Sequence, residues 1–484
     1  MVFLSRRSFL LSGVATGVCM TSGTPLLAQD ANGFQAAASA MSQNTAPMTP
    51  GLQGITAICE VTGGGEKVYA IAVEYDTEID PESLSTSSYS AAVVPTADGY
   101  YPGMPAGPSN NDTEKTPVAR EIVAIYTNDT AMRRLDQSSV KGRYVIAEFA
   151  HADDLSQPTT DSEKVRLTQT AEIRTLAGAS YPAADKQWSN VSGHGTSVAI
   201  RGVDAWEQNH WWWDDSRSAW LEYSIYLPKS FLAEGGEEKS YPLILAITHS
   251  GTSYDGTCKE TLTETCIASI WGMPEQQAKE ECVVITPRYE RTTMNDYWEH
   301  TADVENTYRL VQSLLSNTWN YGNPNLSDRR DKVLKIDPAR VYCTGWSMGA
   351  MTSLWLMAHH PETFAAGLII AGQQRPQDVV GLADQNLLII TGTEDQKSTP
   401  WTEACLPVWR DAGAKITRPD TTLDPDLIFP VTDQKALDDQ VNGYLDEGGN
   451  ITFLTFEGVD HMASARKFFY ISAARDWLLS KTKA

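Results

Sequence analysis

Ser347 stands in the stretch YCTGWSMG, Tyr342 to Gly349, with Gly345 and Gly349 two positions to either side. A serine hydroxyl is a poor nucleophile at neutral pH, so chemistry at Ser347 needs an exposed Oγ and a base within hydrogen-bond reach. The Gly-x-Ser-x-Gly spacing meets the first need when it caps a strand and opens a helix, because only glycine lets neighbouring backbone approach such a strained turn. An ordinary Gly/Ser turn has the same spacing, so the partners must come from the rest of the chain. Three histidines follow Ser347. His359 and His360 fall a few turns along the helix that would start at the serine and are expected at its surface. His461, in GVDHMAS directly after the apolar run Ile451 to Phe456, is the expected base. A carboxylate must orient that base. LLIITGTEDQ ends another apolar run and offers Asp395, three residues after Gly392, with Glu394 as the alternative. Asp460 is read as a loop residue, since adjacent side chains rarely converge on one ring. Acyl transfer also needs donors aimed at a developing oxyanion. The backbone N–H of Met348 is one, and Gly251 or Thr252 in THSGTS would supply the other, although that segment would equally suit a plain turn. Trp298 and Trp346 are candidate pocket walls, or core residues.

These residues need a scaffold that brings loop ends together. Leu221, Tyr223, Ile225 and Leu227 alternate as in a strand with one exposed face, and near-continuous apolar runs follow: Leu243 to Ile247, Cys282 to Ile285, Val341 to Cys343, Leu368 to Ala371, Leu387 to Ile390 and Ile451 to Phe456. Strands buried on both faces read this way, and the helical segments between them predict a mostly parallel sheet. One helix is expected over Thr301 to Leu315 from the spacing of Val304, Tyr308, Val311 and Leu315. Function in such sheets gathers at the carboxyl ends of the strands, which is where the candidate serine, acid and base fall. Upstream, residues 51–178 show short alternating strands around Ile55 to Val61, Tyr69 to Tyr75, Ile122 to Tyr126, Tyr144 and Val165, the pattern of a small β-sandwich. Residues 179–215 read as a connector rich in tryptophan, Trp188, Trp206 and Trp211 to Trp213, expected to pack between domains or to form a substrate platform. The α/β domain then runs over 216–484.

The chain has 484 residues and a formal charge of −23, with 42% hydrophobic residues. So acidic a surface repels phosphate backbones, and nucleic-acid binding is not expected. Seven cysteines show no C-x-x-C pairing, so neither a zinc site nor a disulfide scaffold is indicated; Cys258 and Cys266 bracket one polar loop and could bridge. No metal or cofactor is expected. The opening SRRSFLLSGVATGVC, with Arg6 and Arg7 before an apolar run, reads as a twin-arginine export signal over 1–28, cleaved near Ala28. Cys19 follows Val18 and does not form a lipoprotein box, and no later run is long enough for a transmembrane anchor. Residues 29–50, rich in Ala, Ser, Gln, Thr and Pro, read as a disordered tether.

With these stretches in view, the catalytic half resembles the α/β-hydrolase superfamily. More narrowly, VEYDTEIDPESLS, IVAIYTND, YPLILAITHSG, IDPARVYCTGWSMGAMTSLWL, ITGTED and GVDHM are similar to those of secreted bacterial esterases related to feruloyl esterases and polyhydroxybutyrate depolymerases. Some of these are labelled peptidases, and an immunoglobulin-like domain precedes their hydrolase domain. The resemblance implies an ester hydrolase with Ser347, Asp395 and His461 as its triad. Relatives carry His-Gly in the oxyanion loop where this chain has His249-Ser250, and the polar stretch Lys415 to Asn450 is a further departure, expected as a flap over the cleft. The substrate would be a small or polymeric ester. A serine peptidase on the same triad is the alternative, and a surface protein holding a polysaccharide over a vestigial site is the reading from another class.

Overall fold

The computed structural model describes residues 50–63, 65–93, 118–134, 136–150, 165–184, 188–189, 196–214, 216–253, 257–316, 333–424 and 434–483. The expected export signal, with Arg6 and Arg7, and the tether up to Thr49 lie outside the described residues.

Alternating apolar positions build the first half. Strands β1 (Leu52–Thr62), β2 (Gly65–Tyr75), β3 (Tyr89–Val93), β4 (Val118–Arg120), β5 (Ile122–Asn128), β6 (Tyr144–Phe149) and β7 (Val165–Gln169) form the body of two facing sheets, with a small β8 (Ile173–Arg174) and β9 (Ser180–Tyr181) hairpin beside them. Ile55, Ala57, Cys59 and Val61 of β1 all point into the space between the sheets, where Tyr89, Ala91 and Leu167 come from the other side. A buried polar link crosses this core: the Tyr75 hydroxyl lies 2.7 Å from that of Tyr89 and donates to Gln169 Oε1 at 2.8 Å. The segment expected as a connector is largely strand. β10 (Trp188–Ser189) pairs with β7, and β11 (Thr196–Arg201) runs parallel to β1 at the edge of the order β11-β1-β2-β6-β5.

Four residues after β11 the chain enters the second half at β12 (Trp206–Asp214), followed by β13 (Ala219–Tyr226), β14 (Ser240–Ile247), β15 (Val283–Arg288), β16 (Lys335–Trp346), β17 (Ala366–Ile370), β18 (Leu387–Gly392), β19 (Ile416–Thr417) and β20 (Ile451–Phe456). They form one nine-stranded sheet in the order β12-β13-β15-β14-β16-β17-β18-β20-β19. The first two strands are antiparallel to their neighbours and the rest are parallel. Successive residues serve opposite cores. Leu243, Leu245 and Ile247 face helices α1 (Ala302–Leu315), α2 (Met348–His359) and α3 (Ser398–Asp411), whereas Ile244 and Ala246 face α4 (Gln434–Leu445), α5 (His461–Lys467) and α6 (Ser472–Ser480). This double burial is why the strands read as continuous apolar runs. α1 starts where Thr301 accepts from the Asp303 N–H, an N-cap that sets the expected boundary. The second core is continuous with the sandwich core through Val203, Trp206, Tyr226, Ile267 and Trp271.

Three expectations are corrected here. Cys258 and Cys266 do not bridge; both are buried free thiols. Cys258 faces Asn209 and Ser224, while Cys266 points the other way, toward Tyr470 and Arg475. The stretch Lys415 to Asn450 is, where described, no flap: β19 extends the sheet, and Leu437 and Val441 of α4 are buried in the core beside α6. Of the three consecutive tryptophans, Trp212 packs half-buried on the sheet core, whereas Trp211 and Trp213 are 49% and 43% exposed on the sheet's edge strand rather than packed between domains.

Candidate active site

β16 ends at Trp346 and α2 begins at Met348, so Ser347 alone makes the turn, with φ of 55° and ψ of −120°. A non-glycine residue at positive φ is strained and persists only when its surroundings fix it. Here the Ser347 N–H donates to Ile370 O at 3.1 Å and its carbonyl accepts from Met351 N–H at 2.9 Å. The flanking glycines are required by contact. A Cβ on Gly345 would lie 2.5 Å from the Gly349 carbonyl carbon, and one on Gly349 would lie 2.0 Å from Ile247 O at the end of β14. The elbow is thus pressed against the strand whose loop carries Thr248 to Ser253.

The acid and base loops are held together in the same manner. A Cβ on Gly392 would lie 1.8 Å from Val459 O, which also accepts the Glu394 N–H at 3.0 Å. This brings Asp395, 1% exposed after β18, beside His461 at the first turn of α5. His461 Nδ1 is 2.8 Å from Asp395 Oδ2, and Nε2 is 2.9 Å from Ser347 Oγ. The other carboxylate oxygen, Oδ1, accepts the N–H groups of Lys397 at 3.0 Å and Ser398 at 2.8 Å. Burial opposes ionisation of Asp395, but the His461 contact and these two amides outweigh it and hold its pKa below the usual carboxylate range. An ionised carboxylate only accepts, so Nδ1 carries the ring proton and Nε2 is left to accept from the serine hydroxyl.

Glu394 is exposed and takes no part in this chain of contacts. Asp460 caps α5, accepting from Ala463 N–H at 2.7 Å. His359 and His360 lie at the far end of α2, stacked on Trp355 at 3.9 Å and on Tyr308 at 3.4 Å. Trp346 is 3% exposed and belongs to the core. Its indole N–H donates to Ser464 Oγ at 3.0 Å, and Ser464 donates to His461 O, so it braces the histidine turn. Trp298, at φ 62°, is half-buried with its ring 4.7 Å from that of Trp401 and under the Arg375 guanidinium. Its loop reaches Met348, whose sulfur accepts the Thr293 N–H at 3.2 Å.

The second donor loop carries a buried arrangement that the sequence did not disclose. Gly251 gives its N–H to His249 Nδ1 at 3.0 Å, so that amide is already engaged, and Thr252 Oγ1 donates to His249 O at 2.9 Å. His249 is buried against Trp346, ring centroids 4.8 Å apart, and its Nε2 faces Glu264 Oε2 at 3.5 Å. Burial, with a smaller effect of His461, pushes the His249 pKa down to about 4, and burial, helped by Glu260, pushes Glu264 up to about 7. His249 is therefore neutral at neutral pH, as an acceptor at Nδ1 must be. Its place between a strand end and Ser-Gly was the only available signal. Among the described residues, no group of three His, Cys, Asp or Glu is placed to hold a metal ion, and no helix is long and apolar enough to cross a membrane.

Fold and sheet order are those of an α/β hydrolase preceded by an immunoglobulin-like sandwich. Residues 54–192 match the family model described as "Esterase Ig-like N-terminal domain", and residues 187–427 match that described as "Putative esterase". The chain belongs to the α/β-hydrolase esterases that carry this N-terminal domain, and it is a hydrolase. Among solved structures, a thermostable esterase is similar at a TM-score of 0.63 with 18% identity, over 89% of this chain and 100% of that one. A puromycin hydrolase is matched at a TM-score of 0.36 with 12% identity, over 69% of this chain and 47% of that one. The feruloyl esterase module of Clostridium thermocellum is matched at 0.34 with 13% identity, over 56% and 87%. No curated protein matches the chain in sequence.

Proposed function

We propose that the chain is a serine hydrolase that cleaves carboxylic esters through an acyl-enzyme formed on Ser347. The observation that carries this reading is the continuous hydrogen-bonded run Ser347 Oγ, His461 Nε2, His461 Nδ1 and Asp395 Oδ2, at 2.9 Å and 2.8 Å. Ser347 Oγ attacks the acyl carbon as its proton passes to His461 Nε2. Asp395 stabilises the imidazolium so formed. The oxyanion is held by the Met348 N–H, at the first position of α2 where the helix dipole also favours negative charge, and by a donor from the His249 loop. With the Gly251 amide given to His249, Thr252 is the better candidate for that donor. His461 then returns the proton to the leaving alcohol, and water repeats the sequence to release the acid. The substrate is a small or polymeric ester, and no cofactor enters. The arginine pair at the N-terminus assigns the chain to export, by the twin-arginine route, to the periplasm or beyond.

Replacing Ser347 by Ala should abolish turnover of p-nitrophenyl acetate and labelling by a fluorophosphonate probe. Unchanged turnover in purified Ser347→Ala protein would remove the assignment. Peptide amides run beside short esters test the peptidase alternative, since faster amide than ester cleavage would favour it.

A further inference from the structure

At the same end of the large sheet as Ser347, but two strands beyond β14, a separate cavity of about 400 Å³ opens between the start of β13, the end of β15 and the first turns of α1. Four arginines line it, Arg217, Arg288, Arg291 and Arg309, in a chain whose formal charge is −23. Two are balanced locally: Arg288 lies 3.0 Å from Glu222, and Arg291 lies 3.4 Å from Asp303. Among the described residues, neither Arg217 nor Arg309 has a carboxylate partner. A guanidinium fork fits a carboxylate better than any other side chain does.

Trp220 and Tyr289 are the aromatic part of the remaining wall, which also carries Asp303 and Glu290, the latter 3.7 Å from Arg288. Trp220 lines the cavity and pairs across the hairpin with Trp213, while Trp211 sits 5.0 Å from Trp220 at a tilt of 43°. Trp211 and Trp213 share one face of the strand and are 49% and 43% exposed. Three indoles that reach solvent side by side form an apolar strip of the kind that marks a binding surface. Flat faces beside cationic forks suit rings that are apolar on their faces and carry carboxylates at their edges. The cavity is also tied to the site already described. Arg291 lines it, and Thr293, two residues later, contacts Met348, next to Ser347. Two residues span at most about 7 Å.

We propose that this cavity is an acidic-sugar subsite, binding the carboxylate of a uronic acid unit in a carbohydrate whose ester is presented to Ser347. The indoles stack on adjoining sugar rings, and Arg217 and Arg309 hold the carboxylate. This rests on the ester-hydrolase reading of Ser347, but it can fail separately.

The test is direct binding to full-length Ser347→Ala protein, followed by tryptophan fluorescence, with trigalacturonic acid against neutral xylotriose. Trigalacturonic acid should change the fluorescence saturably and bind at least tenfold more tightly than xylotriose. Arg217→Ala and Arg309→Ala, added to that protein, should each weaken it several-fold, and together tenfold or more, with unchanged melting temperature. Trp211→Ala should weaken both sugars. Equal affinity for the two sugars, or no effect of the arginine changes, would overturn the subsite. So would sedimentation showing that a second copy covers the tryptophan strip. Native protein that hydrolyses p-nitrophenyl acetate while Ser347→Ala protein binds no trigalacturonic acid discards the subsite alone; binding without turnover of any ester discards the hydrolase reading instead.

Discussion

Replacing Asp395 by Asn exchanges one oxygen of the proposed triad for an NH2 group and should cost far more than that change in size suggests. Asp395 Oδ1 is held by two backbone donors, Lys397 N–H at 3.0 Å and Ser398 N–H at 2.8 Å. In the Asp395→Asn protein the side-chain carbonyl oxygen must take that place, because the amide NH2 cannot accept. The NH2 group then faces His461 Nδ1, which must become an acceptor, and the ring proton moves to Nε2, 2.9 Å from Ser347 Oγ. The histidine can no longer receive the serine proton. The expected fall in kcat is about 10⁴-fold, or about 5.5 kcal/mol of transition-state stabilisation. KM should change little, since substrate does not touch this group. Both amide bonds survive, so the variant should fold. Asp395 has a depressed pKa in the fold. Its stabilisation is therefore present above about pH 4 and lost as pH falls through the lower folded value. The Asp395→Asn protein should be somewhat less stable at neutral pH and lack that step in acid. The assay is p-nitrophenyl acetate hydrolysis, with Glu394→Gln as control, expected at native kcat because Glu394 is exposed. An Asp395→Asn protein within tenfold of native, or a Glu394→Gln protein that carries the loss, would refute the reasoning.

Other outcomes follow from the same geometry. Glu264, 12% exposed, has a pKa raised to about 7. The fold thus favours its protonated form, an advantage present below about pH 4.5 and lost as pH rises through about 7. Glu264→Gln should gain up to about 3 kcal/mol on the native protein between about pH 5 and pH 8; denaturant melts at both ends of the range check this, and parallel curves would contradict it. Gly349→Ala places a methyl 2.0 Å from Ile247 O. It should cost about 1–3 kcal/mol or more and lower activity, and an unchanged melting temperature would show the approach to be looser. Because the sandwich and sheet cores are continuous through Trp206 and Trp271, calorimetry should give one endotherm, and two resolved transitions would count against that continuity.

The residues of the candidate site were legible because each obeys a local rule with a visible cause. Gly349 is demanded by β14 and Gly345 by the backbone of Gly349 itself, and the apolar runs reflect strands buried on both faces. Asp395 and His461 each follow such a run. Other features depend on contacts that no local pattern encodes. His249 meets Glu264, which lies just past the short helix Glu260–Thr263, and it takes the Gly251 amide, which leaves Thr252 as the better oxyanion donor. β11 is six residues long and finds its partner, β1, at the other end of the sandwich. α4 looked like a polar flap because its buried face is narrow, consisting largely of Leu437 and Val441. The tryptophan-rich stretch reads either as packing between domains or as a substrate platform, and its place on the sheet edge puts Trp206 in the core and leaves Trp211 and Trp213 open.

The buried thiols bear on where the fold can be completed. Cys59, Cys258, Cys266, Cys282, Cys343 and Cys405 are all buried and unpaired, and burial raises the pKa of each. A buried thiol kept protonated is a sluggish nucleophile and resists both oxidation and exchange. Across the described residues the fold therefore owes nothing to covalent cross-links and takes the same form in a reducing or an oxidising compartment.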